Sequence, residues 1–285
     1  MTTASAAPVA GRRPERLPAG AASWARIRAV ARRHAIVLKR SPHRTFDVSV
    51  WPIVDTLLFG SVGVYFARQA EPEASQVVLG YMLAGIVLWH VVYQAQIGLA
   101  TGFLEETWSR NLLSMMVTPL KEWEYVAGVA LFGMVKLVIG VGGVALIAAG
   151  VYAFDITDIG WGLVPVAAVL IAVGWIVALG VIGLVLRYGS GAEALVWGIL
   201  FVLMPLSGVF YPVDALPRFL QPIAHALPTT HAFAVARDLV AGRPMPWGEM
   251  VLAVALTGVS AVLALAFLGW SMRVFRARGY VTRYS

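Results

Sequence analysis

Residues 159–186 read IGWGLVPVAAVLIAVGWIVALGVIGLVL and contain no charged side chain. A bilayer core about 30 Å thick needs roughly 20 apolar residues in a helix that rises 1.5 Å per residue. This stretch is therefore predicted to cross a membrane. Five further stretches meet the same criterion, at about residues 48–67, 77–100, 125–153, 194–213 and 250–272. The sequence thus predicts an all-α polytopic membrane protein with six transmembrane helices.

The composition supports a membrane protein and excludes several other classes. Of the 285 residues, 59% are hydrophobic and 13% are charged, and the mean hydropathy is +0.78. A soluble domain has about a quarter of its residues charged and could not bury this much apolar surface. The chain has no cysteine, which excludes thiol chemistry and cysteine-based metal sites.

The distribution of positive charge predicts the orientation. Seventeen Lys and Arg residues lie on the side of the N-terminus and four on the other side, with Lys136 inside a predicted span. Cytoplasmic loops carry the excess of Lys and Arg, so both termini are expected in the cytoplasm of a bacterium, with the chain in its plasma (inner) membrane. The Arg-rich start also resembles an organellar transit peptide, which is the alternative.

The N-terminal region is predicted to contain a disordered leader, residues 1–22, and then an interfacial helix, residues 23–40. The leader is rich in Ala, Pro and Arg. The helix has an apolar face and an opposite basic face with Arg26, Arg33 and Arg40, which suits the headgroup layer. A basic flank that only sets topology is the alternative. The apolar face consists of Trp24, Ile27, Ala31, His34 and Leu38.

A second amphipathic helix is predicted at residues 104–118, between the second and third spans. Leu104 and Trp108 share one face, and Glu106 and Arg110 form an i, i+4 pair on another. Pro119 ends this helix. A connector that rests on lipid is the alternative. At the other end of the chain, residues 276–285 are expected to form a cytoplasmic tail.

Residues 206–242 predict a helical hairpin between the fifth and sixth spans. Asp214 can cap a short helix with Pro217 in its first turn, and Pro222 and Pro228 interrupt that helix. A threonine at 229 or 230 can cap a second helix that runs through residue 240, with Gly242 as its stop. Irregular backbone at membrane depth is tolerated only beside protein or a water-filled cavity. The hairpin is therefore expected either to line a pathway or to lie outside the bilayer.

Few residues in this sequence can carry out chemistry. No phosphate-binding loop of the GxxxxGK[ST] type occurs, so ATP hydrolysis is not expected of this chain, and neither catalytic residues nor a metal site are predicted. Asp55 and Lys136 are the charges inside predicted spans. Each should face protein, water or a partner because a charge is costly in the bilayer centre. A proton or ion relay is one hypothesis, and a structural pair is the other.

The chain resembles an ABC-2 type transporter permease, the membrane subunit of a bacterial ABC exporter. The resemblance rests on the basic amphipathic helix, on LLSMMVTPLKEWEYVAG at 112–128 and on LSGVFYPVDALPRFLQPIAHALPTTHAFAVARDLVAG at 206–242. The stretch at 112–128 resembles the family's cytoplasmic element "LL-x-TP" followed by a polar residue and "E-x-x-x-G". The resemblance to the family covers about residues 23–275. The stretch EETWSRN departs from the more basic pattern of many relatives.

The resemblance implies a permease dimer, homomeric or heteromeric, with separately encoded ATPase subunits that hold ATP and magnesium. It implies that the helices at 23–40 and 104–118 contact the ATPase and that the hairpin closes the outer exit. No nucleic-acid partner is expected. The expected ATPase contacts are Glu105, Glu106, Trp108 and Arg110, and the expected hairpin residues are Phe210, Pro212, Asp214, Pro217 and Pro228.

The predicted activity is outward transport of a small amphipathic or lipid-linked molecule. Two alternatives remain at this point. An ion-coupled secondary transporter would show internal repeats, and the two three-span halves share no obvious similarity. An integral-membrane lipid-modifying enzyme would need several titratable groups at one depth, and the sequence offers scattered single charges.

Overall fold

The computed structural model describes residues 19–40, 42–108 and 120–278, with the side chains of residues 19, 42–49, 106–108, 122, 190, 276 and 278 excepted. Over these residues the chain is helical. The helices are α1 Ala19–Lys39, α2 Pro42–Gln69, α3 Pro72–Trp108, α4 Glu122–Tyr152, α5 Leu163–Tyr188, α6 Leu195–Leu206, α7 Gln221–His225, α8 Pro228–Val240 and α9 Trp247–Arg278.

In the described residues, five helices are long and apolar enough to cross a membrane. The qualifying segments lie in α2, α3, α4, α5 and α9: Val50–Gln69, Pro72–Glu105, Trp123–Tyr152, Leu163–Tyr188 and Trp247–Phe275. The remaining predicted span, 194–213, contains only the 12-residue helix α6. At 1.5 Å per residue α6 is about 18 Å long, which is too short for a full crossing. The predicted count of six spans is therefore not confirmed.

The sequence around Pro205 explains the short length of α6. Pro205 lies in the last turn, and Ser207 follows as the C-cap. Gly208 then takes a φ of +61°, which a residue with a side chain adopts at a cost. The chain turns away from the helix axis at this point.

Helix α3 lies at the centre of the bundle. It packs against α2, α4, α5, α6 and α8, and Leu83, Ile86 and Val92 along it are fully buried. Glycines allow the close approaches: a Cβ on Gly98 would lie 3.1 Å from the Cα of Gly133 in α4. The middle of the bundle is thus a tightly packed apolar core around one long helix.

Helix α9 lies at the periphery. It packs against α5 and α8 along one side, and Gly183 of α5 receives the ring of Phe267 there. The rest of its surface is apolar and exposed, at residues that include Val251, Val262 and Leu263. An apolar helix surface of this kind is suited to contact with lipid.

The two ends of the bundle have different structures. The end that we call the α1 end holds α1, the last turns of α3 and the first turns of α4. The end that we call the hairpin end holds the α2–α3 turn, the α4–α5 loop and the start of α9, where Gly80 contacts Val240 and Gly162 contacts Leu239. In the α4–α5 loop, hydrogen bonds from the hydroxyl and the amide of Thr157 hold the pKa of Asp155 below its usual range.

Candidate functional site

A buried carboxylate joins α1 to the start of α4. The Glu124 side chain is fully buried. Arg26 donates to it twice, from Nε to Oε2 at 2.7 Å and from a terminal nitrogen to Oε1 at 2.6 Å. The Ser23 hydroxyl donates at 2.5 Å and the Lys121 amide at 3.0 Å. Paired, charge-assisted bonds of this kind fix geometry strongly. We call these four residues the clamp.

The glycine one helical turn after Glu124 completes the contact. A Cβ on Gly128 would lie 2.6 Å from the Cβ of Val30 and 2.9 Å from the carbonyl oxygen of Ile27. Residues at i and i+4 share a helix face, so Glu124 and Gly128 both point at α1. The "E-x-x-x-G" pattern in the sequence is thus the α4 half of a helix–helix contact, with one residue to bind and one to allow close approach.

The predicted apolar face of α1 coincides only in part with the face that packs on the bundle. Ile27 and His34 are buried against the bundle as expected, but Trp24 is 53% exposed, and Ala31 and Leu38 are half-buried. Arg26, which was placed on the opposite basic face, points inward, and its hydrogen bond to Glu124 raises its pKa. Hydrophobic periodicity could not detect this because the partner carboxylate lies in a distant part of the chain. The face that contacts α4 consists of Ser23, Arg26, Ile27, Val30 and His34.

The end of α3 also reaches α1. Glu105 lies 3.5 Å from Nδ1 of His34, with 17% of its side chain exposed. Helix α3 continues without interruption to Trp108, so the helix predicted at 104–118 is not separate from the second span at its start. The side chains of Glu106 and Trp108, and the whole of Arg110, lie outside the described residues. Contact of these residues with an ATPase stays a prediction.

At the other end, the hairpin has one limb on the surface and one inside the bundle. Residues 211–226 are mostly exposed, whereas the first half of α8 is buried. Helix α8 packs between α3, α5 and α9. The Phe233 ring is 1% exposed and lies 6.5 Å from the Trp89 ring of α3. Whether the hairpin lines a pathway or lies outside the bilayer stays a prediction.

The hairpin caps differ from those predicted. Asp214 lies inside a 3₁₀ turn, Val213–Ala215, for which Pro212 is the N-cap. Pro222 lies in the first turn of α7 and does not interrupt it, and Pro228 starts α8 after the N-cap Leu227, whose side chain makes no cap bond. Gly242, at a φ of +70°, follows the end of α8 as predicted. A proline in a first helical turn replaced the expected side-chain cap because its missing N–H costs nothing there. Pro217 is exposed and precedes the turn that leads into α7.

Polar side chains hold the buried limb in place. Ser207, after α6, shares a 2.7 Å hydrogen bond with Thr229, and the Thr230 hydroxyl donates to the Ala224 carbonyl at 2.7 Å. The two hydroxyls predicted as caps therefore tie α8 to the preceding segments. His231 contacts a carboxylate oxygen of Glu249 in α9 at 2.6 Å. Helix α8 is also bonded to the break after α6, because the Arg237 side chain donates a hydrogen bond to the Gly208 carbonyl.

Phe210 places the start of the hairpin against α2 and α3. Its ring stacks on that of Phe59 in α2, with 4.4 Å between centroids and 18° between planes. Gly85 of α3 makes room for the same segment, because a Cβ there would lie 2.7 Å from the Val209 carbonyl oxygen. We call Gly85, Val209 and the stacked pair Phe59–Phe210 the gate contact.

Both charges inside predicted spans face protein groups. Lys136 is 7% exposed, and its ammonium lies 5.3 Å from the centre of the Phe132 ring. Asp55 lies 3.6 Å from Nε2 of His90, and 41% of its side chain is exposed. The two charges are on different helices with different neighbours. A role for either in transport stays a prediction.

The helices that span the membrane, the helix joined to one end and the buried hairpin at the other define a multi-pass membrane transport protein. The ABC-2 type transporter family matches residues 25–240, and the chain belongs to this family. It is thus the membrane component of an ABC transporter. It is 27% identical over 276 residues, covering 94% of this chain and 90% of the relative, to the daunorubicin resistance ABC transporter permease protein DrrB1 of Streptomyces coeruleorubidus.

Proposed function

We propose that this chain is the permease subunit of an ATP-driven exporter that moves a small amphipathic or lipid-linked molecule out across a bacterial plasma membrane. It works as a dimer with separately encoded ATPase subunits, which hold ATP and magnesium. The observation that supports this most is that one continuous helix, α3, joins the clamp region to the gate contact.

The α1 end is the place where movement of the ATPase enters the permease. From Gly85 to Glu105 helix α3 covers 20 residues, or about 30 Å. Helices α1 and α4 are fixed to each other by the clamp, and α1 reaches α3 through His34 and Glu105. An ATPase bound beside residues 104–118 therefore acts on all three helices together. The expected contacts are Glu105, Glu106, Trp108 and Arg110.

The hairpin end is the exit. Helix α8 fills the bundle between α3, α5 and α9, and its polar bonds join it to the break after α6. A substrate that leaves at this end must pass a segment held by a few hydrogen bonds and one aromatic stack. ATP-driven coupling requires an element with two discrete arrangements, and we propose that the hairpin is this element.

Charge supports a cytoplasmic α1 end. The outer face of α1 carries exposed Arg28 and Arg32, and basic faces are favoured beside anionic cytoplasmic headgroups. The substrate class draws support from the relative named for daunorubicin resistance, since daunorubicin is a small amphipathic molecule.

The test uses everted membrane vesicles that contain the permease with its ATPase. We expect the two proteins to co-purify, the permease alone to hydrolyse no ATP, and the vesicles to accumulate daunorubicin only with ATP. Accumulation should stop when the phosphate-loop lysine of the ATPase is replaced and should persist with a protonophore. Uptake without nucleotide that a protonophore abolishes would instead indicate a secondary transporter.

A further inference from the structure

We propose that Asp55 is the binding site for the positively charged group of an organic cation, so that the exported molecule is an amphipathic cation. This inference rests on the proposed export function and adds the charge of the substrate to it. Asp55 lies on α2, one helical turn before Phe59 of the gate contact. It differs from Glu124, the buried carboxylate of the clamp, in its exposure and in its polar partners.

Glu124 shows what a structural carboxylate in this protein looks like. It is fully buried and accepts hydrogen bonds from Ser23, Arg26 and the Lys121 amide, at 2.5 to 3.0 Å. Asp55 has 41% of its side chain exposed, and the polar partner that the described part of the chain gives it is Nε2 of His90 at 3.6 Å. That separation exceeds a hydrogen bond. Asp55 is thus a carboxylate with most of its binding capacity open.

His90 is held by its own hydrogen bond and lies beyond hydrogen-bond distance of Asp55. Its ring is 1% exposed, and its Nδ1 lies 2.9 Å from the Ile86 carbonyl oxygen. Because a carbonyl only accepts, Nδ1 carries the hydrogen of this bond. The orientation leaves Nε2 toward Asp55 and closes the protein side of the carboxylate. The open side remains for a ligand.

The location of Asp55 inside a membrane-spanning segment distinguishes it from a carboxylate on a water-exposed surface. It lies within the segment Val50–Gln69, and His90 is halfway along Pro72–Glu105. A carboxylate at this depth is costly unless a positive group or water reaches it. A cation that arrives with its own apolar body supplies both the charge and the contact with the surrounding apolar surface.

Two aromatic side chains neighbour the Asp55–His90 pair along their helices. Phe59 is one helical turn further along α2 than Asp55 and half-buried, in the stack with Phe210. The half-buried Tyr93 ring lies 5.9 Å from the His90 ring. Aromatic faces attract ammonium and related cations and stack on flat apolar ligands. Because residues at i and i+4 share a helix face, a ligand held by Asp55 lies beside Phe59 of the gate contact.

The experiment compares two hydrophobic ions of the same shape and opposite charge. We measure the binding of tetraphenylphosphonium and of tetraphenylborate to the purified full-length permease in phosphatidylcholine nanodiscs, without ATPase. Asp55→Asn should weaken tetraphenylphosphonium binding roughly tenfold or more and leave tetraphenylborate binding unchanged or tighter. Asp55→Glu, which keeps the charge, should retain cation binding. The matched control is Asp158→Asn, which removes an exposed carboxylate from the α4–α5 loop and should bind like the parent.

Equal cation binding by Asp55→Asn and the parent, at equal melting temperature, would overturn the inference. So would a parent protein that binds neither ion, or that binds both alike. These outcomes do not bear on ATP-driven export, which is measured separately in vesicles with the ATPase. Conversely, export without ATP would contradict the proposed function but would not affect the result of the cation-binding experiment.

Discussion

Replacing Arg26 with alanine is expected to lower ATP-driven transport roughly tenfold or more and to lower the melting temperature of the permease. The reason is that Glu124 would stay fully buried with its two strongest hydrogen bonds lost. Removing one partner of a buried ion pair leaves an uncompensated charge, and that costs more than the pair contributed. Helix α1 would lose its fixed position on α4.

The measurement is transport in vesicles together with thermal unfolding of the purified protein. Arg28→Ala is the matched control, because Arg28 lies on the same helix and is exposed; it should behave like the parent. The double variant Arg26→Ala with Glu124→Gln should recover stability relative to Arg26→Ala alone, since the buried charge is gone. An Arg26→Ala protein with normal stability and transport would show that the clamp has no part in coupling.

Gly85→Ala is the second change from which we expect a large effect, a loss of transport of roughly fivefold or more. In an exposed helix this substitution is stabilising by up to about 1 kcal/mol. At Gly85 the new Cβ would lie 2.7 Å from the backbone oxygen of Val209 and 3.3 Å from the Phe210 ring. Backbone cannot yield as a flexible side chain does, so the hairpin must move away from α3.

Transport in vesicles and the melting temperature are measured for Gly85→Ala beside Gly258→Ala. Gly258 lies in α9, and a Cβ there meets nothing within 4 Å. The control should keep full transport and melt at the parent temperature or above. If Gly85→Ala is as active and as stable as the parent, the close approach of the hairpin to α3 is not needed for transport.

The helices that span the membrane could be predicted from the sequence because length and apolarity alone decide them. Five of the predicted stretches coincide with long apolar helices. The stretch 194–213 is not confirmed as a span, because backbone geometry at Pro205 and Gly208 ends the helix within it. Residues 206–242 contain two helices after this break, and their role as an exit hairpin stays a prediction. The exact caps could not be chosen, since prolines and threonines each allow several turn geometries.

Contacts between residues that are distant along the chain could not be predicted from the sequence alone. Arg26 and Glu124 are 98 positions apart, and nothing in the periodicity of α1 indicates which cation turns inward. The motif "E-x-x-x-G" marked Glu124 and Gly128 without showing what they contact. Asp55 was expected to face protein, water or a partner, but His90 as its neighbour follows only from the packing of α2 on α3.

The hairpin as a moving gate, driven by ATP, is the central claim, and the absence of native cysteine allows a direct test. Cysteines at Gly80 of α3 and Val240 of α8 come close enough to form a disulfide, because a Cβ on Gly80 would lie 2.9 Å from the Val240 Cγ1 atom, which the cysteine sulfur replaces. Transport is measured in vesicles that contain this double variant and the ATPase. We predict ATP-driven transport in the reduced protein, its loss on oxidation and its return on reduction. ATP-driven transport that continues at the same rate with the disulfide fully formed would contradict the gate.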